Sequence, residues 1–270
     1  MLETNLVNHF YNTYNEEERL ADKCGQVEFM TTMEYIHNYL KPGMRVLEIG
    51  AGTGRYSRAL AKEGYRMDAV ELVAHNIDLF RSKMDGEKIR LIQGNAVDLS
   101  MYGDETFDGT LSLGPMYHLF QEESRKRALE EAIRVTKKGG VIFVAYCMNE
   151  ATILQYSFRK GTLLDDMEKG LISPDFHWTA NENDAFALMR PAEIEALTEP
   201  YPVKRMGMAA TDGASRYMED VINAMSDDIF RHYYNYHLST CERKDLIGAS
   251  TTCWISSEKK PCNRLWQGVK

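Results

Sequence analysis

Val46-Leu47-Glu48-Ile49-Gly50-Ala51-Gly52-Thr53-Gly54-Arg55-Tyr56 decides how the rest of the chain is read. Val46, Leu47 and Ile49 form a short apolar run, the pattern of a strand buried on both faces. Three glycines follow at alternate positions, where the backbone can take positive φ and a ligand can approach bare main chain. RYSRALAKEG then reads as a helix closed by Gly64. A helix N-terminus leaving such a turn favours negative charge. An acid, Glu71, ends the next strand, YRMDAVEL. It lies at roughly the 20-residue separation at which a carboxylate takes two ribose hydroxyls. A carboxylate suits that task because its two oxygens only accept, and two vicinal hydroxyls donate.

Outward from this turn the elements alternate. IRLIQG, FDGTLSLG and VIFVAYC read as further strands, with AHNIDLFRSKM and QEESRKRALEEAIRVTKKGG as helices between them. Short apolar strands alternating with helices predict βαβ units with right-handed crossovers, hence a parallel sheet. VKRMGMAA and STTCWISSE supply a sixth and a seventh strand, and Pro191 opens a short helix, AEIEALT. The expected fold class is therefore α/β: a doubly wound, mostly parallel seven-stranded sheet with helices on both faces and helical cap elements. Two amphipathic stretches, Leu2–Cys24 and Val27–Leu40, precede it, and Lys41-Pro42-Gly43 ends the second. Residues 1–40 are expected as lid helices and 41–148 as the core bearing the glycine turn. Residues 149–260 are expected as the rest of the sheet with cap insertions, Asn149–Asp184 and one long helical stretch, Ser215–Thr240, and 261–270 as a tail.

Composition narrows the function. Of 270 residues, 44% are hydrophobic and 27% charged, enough apolar material for a full core. The formal charge of -8 argues against a long polyanionic partner such as RNA or DNA. The five cysteines are scattered without C-x-x-C spacing, so no metal site is expected. Such thiols fit a reducing compartment. The first residues are too polar for a signal peptide and no apolar run spans a bilayer, so the expected location is cytoplasmic, with no membrane partner.

Dinucleotide enzymes share the strand, turn and acid, but their glycines are spaced G-x-G-x-x-G, and Arg55 stands where that third glycine would be. The G-x-G-x-G of Glu48–Gly54 instead resembles the first motif, E/D-x-G-x-G-x-G, of the class I S-adenosylmethionine (SAM)-dependent methyltransferases. Gly94-Asn95-Ala96-Val97-Asp98-Leu99 is similar to that family's adenine-flanking G-D-A-x-D-L. Asp104–Asp108 is similar to its D-x-S-F-D, and Arg134–Gly140 to its R-V-L-K-P-G-G. The resemblance covers Lys41 to about Tyr146. It implies SAM as cofactor and S-adenosylhomocysteine as product. Gly50, Gly52 and Gly54 would lie against the methionine part, which Glu48 helps to orient. Glu71 would hold the ribose, Asn95 and Ala96 would border the adenine, and Leu113 and Gly114 would sit near the sulfonium. Asn95, where the family has aspartate, offers one carbonyl acceptor and no charge. Phe10–Arg19 resembles the lid helix of small-molecule methyltransferases, which makes Tyr14 and Arg19, then Tyr11, candidates for the SAM carboxylate.

The acceptor side is read from Gly114-Pro115-Met116-Tyr117-His118, after the fourth strand, at the sheet edge where open α/β folds bind ligands. His118 can act as a base, since imidazole changes charge near neutrality; the alternative is a structural histidine at a helix start. Tyr117 is the second catalytic candidate. Phe230–His237 is read as an aromatic wall for the acceptor, as packing under the cap or as a dimer contact. A small enclosed acceptor is the expected partner, and a homodimer is compatible with the composition. RNA or protein methylation, nicotinamide-dependent redox chemistry and non-catalytic SAM binding are the competing readings.

Overall fold

A computed structural model describes residues 2–13, 21–179 and 186–260. Helix α1 (Leu2–Thr13) is followed by α2 (Lys23–Tyr39), and the βα alternation then runs β1 (Arg45–Ile49), α3 (Arg55–Lys62), β2 (Arg66–Glu71), α4 (Ala74–Lys83) and β3 (Ile89–Gln93). The chain continues through β4 (Phe107–Ser112), α5 (Glu122–Val135) and β5 (Thr136–Met148). The sheet order is β3-β2-β1-β4-β5, then β8 (Thr252–Lys259) and β7 (Val203–Ala210). Among the described residues only β8 runs antiparallel, to both its neighbours. The two-residue β6 (Leu188–Met189) adds an eighth strand beside β5 that the sequence did not reveal.

The sheet is sandwiched because β1 is apolar on both faces. Val46 joins Met33, Ile36 and Leu40 of α2 and Leu60 of α3 in one core. Leu47 and Ile49, alternating to the other face, join Leu129 and Ile133 of α5 in the second. Helix α2 is thus a layer helix of the sheet, and of the described residues expected to form a lid only those of α1 border the cavity described below. Strand order reverses between β1 and β4, the switch point at which doubly wound sheets bind ligands.

Three elements differ from expectation. The long helix before β5 stops at Val135, because Thr136 already pairs with Phe107 and Gly139 takes φ 75°, so the lysines and glycines belong to an irregular strand start. The stretch Ser215–Thr240 is broken into a 3-10 turn (Ser215–Met218), α9 (Glu219–Asn223) and α10 (Asp227–Thr240). The break falls where the Ser226 hydroxyl caps α10 by accepting the Ile229 N–H. The first amphipathic stretch likewise divides, Cys24 belonging to α2.

After β5, in the stretch expected as a cap, come α6 (Asn149–Thr152), a π-helical turn over Ile153–Phe158, and α7 (Leu163–Glu168), none of them lining the cavity described below. Helix α8 (Pro191–Thr198) opens on a proline, as expected. Among the described residues no helix is long and apolar enough to cross a membrane.

Candidate active site

A cavity of about 260 Å³ lies at the switch point. Gly50, Gly52, Glu71 and the Asn95–Val97 turn form one wall; Leu113, Gly114, Tyr117 and His118 form the other. Glu3, Thr4, Val7 and Tyr11, along one face of α1, cover it.

The floor is set by the glycines. Gly50, Gly52 and Gly54 all have positive φ, at 71°, 54° and 82°. A Cβ on Gly50 would meet Pro115 at 2.8 Å, and one on Gly54 would meet the Phe80 ring at 2.3 Å, so bare backbone lets the β1 and β4 loops and α4 close together. Gly54 occupies the N-cap of α3 and has no side chain to cap it. Glu48 does this from the strand below, where its carboxylate accepts the Ser57 N–H at 2.9 Å and the Ser57 hydroxyl. Burial pushes the Glu48 carboxyl up to about 8, against the Ser57 hydrogen bonds, and the neighbouring Glu71 charge adds to the rise.

Glu71, 5% exposed, ties the loop to the end of β2. One oxygen accepts the Gly52 N–H at 2.8 Å; the other accepts from Val73 N–H at 2.9 Å and from Asn76 Nδ2 at 3.3 Å. Asn95 lines the cavity, and its side-chain carbonyl accepts the Val97 N–H at 3.2 Å within its own turn, which leaves one lone pair for a ligand. Tyr117 donates its hydroxyl to the Leu113 carbonyl at 3.2 Å, closing the turn after β4, and its backbone carbonyl accepts the Ala187 N–H at 2.7 Å.

His118, 6% exposed, shares a hydrogen bond of 3.0 Å between its Nε2 and the Tyr11 hydroxyl. Around this pair the rings of Phe10, Tyr117 and Phe186 gather at centroid separations of 4.7 to 6.0 Å. Phe186 was not foreseen, since it lies in irregular chain with no periodicity around it. Tyr14 and Arg19 lie outside the described residues. The Phe230–His237 segment does not border the cavity. Phe230 packs with Cys24 and Val27 of α2, and His237 is buried with its pKa lowered to about 4 by that burial.

At the far end α1 is fastened to α5, because Glu3 accepts the Gln121 N–H and the Ser124 hydroxyl, both at 3.0 Å. The segment that continues from the Asn95–Val97 turn, Leu99–Asp104, is held from below by Arg134 and Glu131.

Comparison with known proteins agrees with this geometry. Residues 46–140 match the family described as methyltransferase domain. A cypemycin N-terminal methyltransferase of a Streptomyces species is 35% identical over 103 residues, 38% of this chain and 41% of that protein. A demethylmenaquinone methyltransferase of Clavibacter sepedonicus is 32% identical over 104 residues, 38% of this chain and 40% of its own length. The matched stretch is thus about two fifths of these relatives. The crystal structure of a SAM-dependent methyltransferase from Thermotoga maritima superimposes with a TM-score of 0.58 at 20% identity, covering 96% of this chain and all of that one, and shares the fold. Family match and motif order agree that residues 46–140 are a methyltransferase domain, set in a fold shared with that structure.

Proposed function

We propose that the chain transfers the methyl group of SAM to a small-molecule acceptor, leaving S-adenosylhomocysteine. One observation carries the reading: a single cavity joins the glycine turn and Glu71 on one wall to the Tyr11–His118 pair on the other. Its residues suit SAM. Glu71 presents acceptor oxygens where a ribose diol needs them, and the Asn95–Val97 turn offers backbone and one amide lone pair to an adenine edge. Leu113 and Gly114 border the methyl-bearing end. When bound, SAM supplies a methyl group already activated by its sulfonium.

What remains for the protein is alignment, exclusion of water and handling of one proton. Helix α1 excludes water by lying across the opening, fastened at Glu3. In the Tyr11–His118 pair, the tyrosine oxygen can take the acceptor's proton as its own moves to Nε2, so the positive charge ends on the buried imidazole. Of the curated relatives, the demethylmenaquinone methyltransferase supports this class, whereas the cypemycin N-terminal methyltransferase is named for a terminus. The acidic balance of the chain favours the small acceptor over RNA.

Methyl-deuterated SAM incubated with the protein and fractionated cell extract, read by mass spectrometry, tests the reading. Label in a small metabolite is the expected result. Label confined to RNA or protein overturns the acceptor class, and SAM binding without transfer in any fraction favours a regulatory SAM-binding protein. With an acceptor in hand, Tyr11→Phe is expected to lower kcat by roughly 10- to 100-fold, leave the KM for SAM within a few-fold, and displace the acidic limb of the pH–rate profile. His118→Ala should lower kcat further and remove that limb. An unmoved profile in both variants would reduce the pair to packing.

A further inference from the structure

Arg125 stands on the first turn of α5, outside the cavity and not among its lining residues. Its Nη1 donates to the backbone carbonyls of Leu119 and Phe120, the two residues that follow His118, at 2.7 and 2.9 Å. Among the described residues these carbonyls are the guanidinium's only hydrogen-bond partners, and neither carbonyl has another. The arginine Nε is buried with no partner. Glu122, Glu3 and Glu193 act on the guanidinium electrostatically, yet no described carboxylate stands within ion-pair distance, and burial pushes its pKa below the ordinary value. A guanidinium taken out of water without a counterion is costly, so its place calls for a reason. The same helix start holds the lid. Glu3 of α1 accepts the Gln121 N–H and the Ser124 hydroxyl there, both at 3.0 Å, and Tyr11 lines the cavity about two turns farther along α1.

Resting on the proton-handling reading of Tyr11 and His118 above, we infer that Arg125 is a positioning residue for that pair. It pins the loop after His118 to the start of α5, and Glu3 pins α1 to the same start. One helix end therefore sets the 3.0 Å between the His118 Nε2 and the tyrosine oxygen. Before His118, the Tyr117 carbonyl is already held by the Ala187 N–H at 2.7 Å; after it, the fixing falls to Arg125. A proton passes along such a bond only while its two heavy atoms stay within hydrogen-bond reach. A loop that drifts by about an ångström thus breaks the pair while the glycine turn and Glu71 stay in place. Arginine suits the place because one guanidinium nitrogen carries two donors in a fixed plane, enough for two successive carbonyls.

Nitrogen NMR of isotopically labelled histidine in the ligand-free chain tests this without any turnover. His118→Ala assigns the His118 signals, and Tyr11→Phe supplies the reference for a broken pair. In Arg125→Met, which keeps an unbranched side chain but removes both donors, the Nε2 signal is expected to move most of the way to its Tyr11→Phe position. Arg125→Lys should stop between, since it restores the charge but not the planar pair of donors. S-adenosylhomocysteine affinity should stay within about three-fold in both variants, because Arg125 lines no part of the cavity. With an acceptor, kcat should fall about 10-fold in Arg125→Met at a nearly unchanged KM for SAM. A His118 signal that coincides with wild type in Arg125→Met overturns the assignment. So does a displaced signal with an equal loss of S-adenosylhomocysteine affinity and kcat, which marks a general loosening of the site. If Arg125→Met does not fold, Arg125→Lys decides on the same scale: displacement toward Tyr11→Phe supports the assignment and coincidence with wild type overturns it. The reading it rests on fails separately. A displaced signal beside Tyr11→Phe and His118→Ala variants that turn over like wild type would keep Arg125 as the positioning residue of a pair that handles no proton.

Discussion

Gly54→Ala is expected to destabilise the protein by about 2–5 kcal/mol and to weaken S-adenosylhomocysteine binding by more than ten-fold. Two effects combine. Gly54 sits at φ 82°, where a Cβ crowds the backbone at a cost of about 1–2 kcal/mol. The added methyl would also stand 2.3 Å from the Phe80 ring, and Phe80 is fully buried between Ala51 and Ala69. The ring cannot swing away without opening that cluster, so overpacking adds about 1–3 kcal/mol. Gly43→Ala separates the two effects. Gly43 has φ 89° with nothing within 4 Å of its virtual Cβ, so it should show the backbone cost alone. Phe80→Ala should in turn relieve part of the Gly54→Ala penalty, giving non-additivity in a double-mutant cycle followed by urea unfolding. Equal losses at Gly43 and Gly54, with strict additivity at Phe80, would mean that the close approach has no energetic weight. Binding suffers because a shift at Gly54 moves the glycine turn, whose Gly50 and Gly52 line the cavity.

This glycine turn was legible because its signal is local: a buried strand, positive-φ glycines and a helix within eleven residues. The alternation from β1 to β5 was legible for the same reason, since helical and strand periods differ. What was hidden depends on residues far apart in sequence. That Glu48 caps α3 follows only once strand and helix stand side by side, and nothing near Asn95 says that its amide serves its own turn. The Tyr11–His118 pair joins residues 107 positions apart. The Ser226-Asp227-Asp228 helix start was visible in the sequence, but the aromatic run that follows drew the reading into one long helix. The antiparallel insertion of β8 between β5 and β7 leaves no mark in STTCWISSE, because a strand buried on both faces reads alike in either direction.

Arg134→Ala is expected to cost about 3–5 kcal/mol near pH 7, more than any exposed ion pair could supply. The guanidinium makes five hydrogen bonds. Two go to the Glu131 carboxylate at 2.8 and 2.9 Å, one to Asp104, and one each to the backbone carbonyls of Leu99 and Tyr102. Glu131 is only 3% exposed and also accepts the Leu99 N–H at 2.7 Å. Removing the arginine leaves that buried carboxylate with one backbone donor and a longer approach, 3.6 Å, from Arg127. It also frees the Tyr102 carbonyl and leaves the Leu99 carbonyl with the Tyr102 N–H alone, in the segment that continues from the Asn95–Val97 turn, so S-adenosylhomocysteine affinity should drop with stability. The pH dependence has a definite sign. The hydrogen bonds from Arg134 hold the Glu131 carboxyl below its ordinary value of 4.5, so their stabilisation is present above that value and is lost as pH falls through the lower, folded one. In Arg134→Ala the carboxyl can instead take up a proton and lose its charge. The stability gap between wild type and variant should therefore be widest above about pH 5 and narrow steadily in acid. Arg134→Met combined with Glu131→Leu should recover only part of the loss, because two apolar side chains remove the buried charge but still leave the Leu99 and Tyr102 backbone groups unpaired. Full recovery in the double variant would make the pair a dispensable ion pair. A gap that persists undiminished to pH 3 would mean that Glu131 is not the group whose charge the arginine balances.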